Sequence, residues 1–148
     1  MSAYKKTVAM FNLKGAVVEK VKQYQSPAMA MIRDRLGETV FREFVALPDD
    51  EFIEGEAGFI PFEQLDLNRL MRREIETAQA YFIMYLAVVG IKEFELGSVA
   101  LDKISFGEGD LNLTGSISIE RYQATFLKMG NKICSRYSGT GELGIIII

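Results

Sequence analysis

The chain has 148 residues, enough for one domain that buries roughly two thirds of its unfolded surface without covalent staples. Its single cysteine, Cys134, excludes an internal disulfide and a multi-cysteine zinc site, and the absence of histidine removes Ser-His and Cys-His pairs and imidazole acid-base chemistry. The net charge of -3 hides a strong segregation: residues 1–48 carry +4, residues 49–66 carry -7, and the remainder is neutral, so the acidity sits in one segment.

The first fifteen residues, MSAYKKTVAMFNLKG, lack clean periodicity and read as an extended or partly helical arm. Asn12 and Lys14 interrupt the apolar run after Lys5 and Lys6 too early for a secretory signal, and no apolar run exceeds ten residues, half a membrane span. A soluble, intracellular protein is expected. Ala16, Val17, Val21 and Tyr24 then step as one helical face, and Ser26-Pro27 places a capping hydroxyl before a proline at a helix start. The helix so begun should run from Pro27 to Leu36 and stop at Gly37. Residues 38–47, ETVFREFVAL, suit a short helix or a strand, with helix favoured.

The acidic segment, PDDEFIEGEAG over 48–58, contains Asp49, Asp50, Glu51, Glu54 and Glu56. Their register does not match a calcium loop, which needs alternating oxygen ligands about a central glycine and a glutamate at position twelve. A solvated or partner-facing loop is the expectation. Phe59 to Phe62 forms a short apolar link.

The organising element is the stretch from Asp66 to Gly90. Leu67, Leu70, Met71, Ile75, Ala78, Phe82, Tyr85, Leu86 and Val89 recur at steps of three and four, Asp66 is placed to cap the start, and Gly90 to end it. Residues 80–89 are all apolar or aromatic and must be covered on nearly every side; Arg69, Arg72, Arg73, Glu74 and Glu76 give the first half a wet surface. After Gly90 the alternation of apolar residues and the glycines at 97, 107, 109 and 115 predict a short hairpin excursion over about 91–115. Gly107-Glu108-Gly109 lacks the third glycine of a dinucleotide fingerprint and reads as turn chemistry.

Thr114, Ser116 and Ser118 are candidate caps for a last helix in which Ile119, Tyr122, Phe126, Met129, Ile133 and Tyr137 form the apolar face. Arg121, Lys128, Lys132 and Arg136 fall within about 80° of one another at 100° per residue. The basic stripe is either a solvated face or one turned to phosphate backbone or an acidic neighbour. Three glycines within 139–144 make a flexible linker to an apolar tail of Leu143, Ile145, Ile146, Ile147 and Ile148, which is expected to dock into another subunit or to fold back. The expected architecture is therefore mainly α: one domain over 1–137, a small bundle about one long central helix with a hairpin excursion, followed by a linker and docking tail over 138–148.

The order of EIETAQAYFIMYLAVVGIK, a glycine-rich excursion and ERYQATFLKMGNKI resembles the head-to-tail connector (adaptor) proteins of tailed bacteriophages over about Leu67 to Tyr137. The resemblance implies a non-enzymatic virion component without cofactors, assembled as a ring, a dodecamer in the family pattern, beneath the portal protein. It further implies contact with tail or neck proteins, passage of genomic DNA through the channel without sequence-specific contacts, no membrane, and a location in the virion neck after assembly in the host cytoplasm. The acidic 49–66 segment has no counterpart in that pattern. Another phage neck or tail completion protein, a cellular protein-interaction domain and a carboxylate enzyme are the competing readings.

Overall fold

The computed structural model describes residues 3–99 and 119–138, with side chains for 3–88 and 120–138. Among these residues the chain forms six α-helices: α1 (Ala3–Phe11), α2 (Ala16–Lys22), α3 (Gln25–Leu36), α4 (Glu38–Ala46), α5 (Leu67–Val99) and α6 (Ile119–Ser138), with a short 3-10 turn at Phe62–Gln64. The mainly helical architecture is as expected. Helix α5 packs against α1, α2, α3, α4 and α6 and is the axis of the bundle.

The start of α5 is fixed by Asp66, whose Oδ1 accepts the Arg69 N–H at 2.8 Å and whose carbonyl accepts the Leu70 N–H at 2.9 Å. The end is not at Gly90. The helix continues through Gly90 and Gly97 to Val99, 33 residues and about 50 Å, so the first part of the expected 91–115 hairpin is helical instead. A glycine inside a helix costs only about 1 kcal/mol relative to alanine, and propagating a formed helix requires no new nucleus. Ile91 and Phe94 also stand three apart, a helical step that the alternation reading discounted. The rest of the hairpin, the caps at 114–118 and the 139–148 tail lie outside the described residues.

The N-terminal arm, expected to be extended or partly helical, is helical over Ala3–Phe11. Ala3, Thr7 and Phe11, four apart, form its buried face, and the Thr7 hydroxyl donates to the Ala3 carbonyl at 2.8 Å. Phe11 meets Tyr81 of α5 and Phe126 of α6 edge-on, with ring centroids 5.7 and 5.5 Å away. Ser26 does not cap α3: the helix begins at Gln25 with Tyr24 before it and no side-chain cap, which puts Pro27 at the third helical position, where its missing N–H has no intrahelical acceptor to lose. The Gln25 side-chain oxygen instead accepts the Tyr4 N–H at 3.0 Å and ties α3 to α1.

Residues 38–46 form the helix favoured on sequence, burying Val40 and Phe44. Gly37, at φ 87°, joins it to α3, and Arg33 clasps Glu38 across the joint with two hydrogen bonds of 2.8 Å.

Helices α5 and α6 run antiparallel: Glu74 lies opposite Arg136, Phe82 opposite Gly130, and the Tyr85 carbonyl accepts from Gln123. Gly130 makes the close approach possible, because a Cβ there would come within 2.8 Å of the Phe82 ring at Cδ1 and Cζ. Arg35 of α3 closes the joint from outside, stacking over Phe82 at 5.0 Å and donating to Asn131.

Candidate functional site

Among the described residues between Phe44 and Ile75 none is buried, so the segment 47–66 is not held down by apolar burial. It is a strap fastened by charge. Asp49 accepts from Arg72 at 2.6 Å, and Asp50 takes both a 2.9 Å and a 3.0 Å bond from Arg73 while the Lys6 ammonium lies 3.5 Å away. Glu56 accepts the Ile53 N–H at 2.9 Å and sits 3.5 Å from Lys5; Phe59 lies 4.4 Å from the Arg73 guanidinium. Arg72 also donates to buried Glu76 at 2.7 Å and to the Phe44 carbonyl at 2.9 Å, so one guanidinium joins α4, α5 and the strap.

This corrects one expectation and adds to another. The charges on the first half of α5 are not simply wet, since the Arg72 and Arg73 side chains are only 12% and 14% exposed. Of the five carboxylates of the loop expected to be solvated or partner-facing, Asp49, Asp50 and Glu56 bind their own chain; Glu51 and Glu54 are exposed and form no ion pair with a described residue. Ionic partners more than twenty positions apart leave no periodic trace. The signal was compositional: two adjacent acids, Asp49-Asp50, and two adjacent arginines, Arg72-Arg73, in otherwise different surroundings.

Burial alone would raise the Asp50 carboxyl, but the Arg73 hydrogen bonds and the Lys6 and Arg73 charges outweigh it and hold the group below its ordinary range. Glu56 is lowered by the Ile53 N–H and, against slight burial, by Lys5. Burial dominates at Glu76, which is raised despite Arg72, and at Lys6, which is lowered despite Glu76 and Asp50. Groups with depressed carboxyl pKa values stabilise the fold above the unfolded value of about 4 and lose that contribution as pH falls through the lowered folded value. Glu76 has the opposite sign and opposes acid unfolding. Strap opening is therefore expected below about pH 4, before helicity is lost. Hydrogen exchange over residues 49–60 at pH 6, 4 and 3 checks this; exchange that rises only together with global unfolding would contradict it.

On α6, Arg121, Lys128, Lys132 and Arg136 are all exposed, as the stripe requires. Arg136 donates to Glu74 at 3.1 Å, and the Tyr137 hydroxyl donates to the other oxygen of the same carboxylate. Beside the stripe a cleft of about 300 Å³ opens between α5 and α6, walled by Leu70, Tyr81, Met129 and Ile133. Lys132 and Arg136 stand at its edge, and Phe62, 63% exposed, forms its lip. A second cleft of about 380 Å³ lies on the other side of the Arg73–Thr77 turn, between α1 and the strap, and includes Phe52, Phe59 and Lys6. Sequence reasoning found the cations but not the cleft beside them, because it depends on where the strap returns to α5.

Cys134 is buried, and burial pushes its thiol up to about 11, away from nucleophilic reactivity near neutrality. Among the described residues no group of three metal-ligating side chains converges, and no helix is long and apolar enough to cross a membrane. The tail residues Leu143 and Ile145 to Ile148 lie outside the described residues. Comparisons with protein-family models, with curated proteins and with solved structures give no match.

Proposed function

We propose that the protein is a non-catalytic structural component that assembles into a ring, an adaptor of the kind found between the head and tail of bacteriophages. The carrying observation is the outer face of α6, where four exposed cations share one side and two of them, Lys132 and Arg136, border a largely apolar cleft on a bundle whose axis is the long helix α5. Such a face fits contact with other chains better than chemistry, because it sets exposed charge beside apolar surface. In this reading the ring sits beneath a portal protein, neck or tail proteins bind its other side, and DNA passes through the channel with only sequence-independent contacts. Leu143 and Ile145 to Ile148 dock into a partner subunit, where burying each isoleucine stabilises by about 1.5 to 3 kcal/mol. Electron micrographs of the purified chain are expected to show closed rings. A field of single particles no larger than one chain would count against the reading.

A further inference from the structure

The cleft between α5 and α6 has apolar walls and a cationic edge, and the strap carries a segment of matching character. Glu51-Phe52-Ile53-Glu54 places an aromatic ring between two exposed carboxylates, and Phe52 remains 41% exposed. Its ring lies against Gly58, at φ 119°, where an added Cβ would come within 2.8 Å of Phe52 Cε2. Within its own chain Phe52 lies at the α1 side of the Arg73–Thr77 turn, whereas the α6 cleft lies on the other side.

We infer that the α5–α6 cleft receives the Phe52 edge of the strap of a second copy, with Glu51 and Glu54 set against Lys128 and Lys132. The inference rests on the assembly reading and names the surfaces that make it. Two observations favour a second copy over a phosphate backbone. Leu70, Tyr81, Met129 and Ile133 give the cleft an apolar wall that an aromatic side chain can cover and a phosphate cannot. Lys128 and Lys132, like Glu51 and Glu54, are exposed and form no ion pair with a described residue, so two charge-complementary surfaces are present on one chain.

Sedimentation velocity of the full chain across a concentration series tests this, with circular dichroism to confirm that each variant is folded. Lys128→Glu with Lys132→Glu, and separately Glu51→Lys with Glu54→Lys, are each expected to weaken association by about tenfold or more, and combining all four to restore most of it. Phe52→Ala should weaken association to a similar degree, of order tenfold, without altering the charge. If the parent chain assembles and the charge reversals leave assembly unchanged while weakening retention on DNA, the stripe is a nucleic-acid face and this inference fails alone. If the combined variant stays as weak as its components, the pairing is wrong. A parent chain that is monomeric at every concentration overturns both this inference and the assembly reading.

Discussion

Replacing Phe11 by alanine is expected to destabilise the protein by about 3 to 5 kcal/mol, the range for a large aromatic side chain removed from a packed interior. Phe11 is 1% exposed and wedges between Tyr81 and Phe126, so its loss leaves a void at the junction of α1, α5 and α6 that those two rings cannot both close. Urea denaturation should show a lower midpoint with an unchanged slope. Leu67→Ala, at a position 83% exposed, is the matched control and should shift stability by no more than about 0.5 kcal/mol. A Phe11 variant as stable as the control would mean that α1 is not part of the core.

The second large effect concerns Arg72. Replacing it with methionine keeps much of the aliphatic volume over Phe44, which lies 4.5 Å from the guanidinium, but strips Glu76 of its 2.7 Å partner. The Glu76 side chain is only 5% exposed, and breaking a buried ion pair by removing one partner costs about 3 to 5 kcal/mol. The Phe44 carbonyl loses its donor as well. Combining Arg72→Met with Glu76→Leu removes both charges, and most of the lost stability should return. Measuring the two single variants and the double variant by thermal unfolding isolates the coupling; additive losses would show that the pair is not a unit.

Both effects fall where the sequence was hardest to read, for a common reason. The buried half of α5 was legible because ten consecutive apolar residues admit one interpretation, and α6 was legible because Tyr122, Phe126 and Ile133 repeat at helical steps. The core face of α1 is Ala3, Thr7 and Phe11, too mixed in character to register as an apolar stripe, and it is buried only because α5 and α6 offer a joint for Phe11. Gly90 looked like a stop because glycine often ends helices, but termination needs the chain to turn there, and the backbone continues to Val99. Gly130, by contrast, lies inside α6, where its missing Cβ admits Phe82; nothing in the spacing of α6 alone announces that contact.

The candidate surface divides in the same way. The four cations of α6 were found by angle alone, because a helix converts spacing into direction. The acidic segment was found by composition, which gives the charge but not its partners. Asp49 and Asp50 engage Arg72 and Arg73, leaving Glu51 and Glu54 outward, and only the fold distinguishes these two pairs of carboxylates.

Native mass spectrometry of the full chain tests the central claim, that these surfaces exist to assemble copies of the protein, most directly. The expected result is one closed species at a fixed multiple of the 16.6 kDa chain mass, unchanged over a wide range of protein concentration. A spectrum holding only the single-chain mass at every concentration would contradict it.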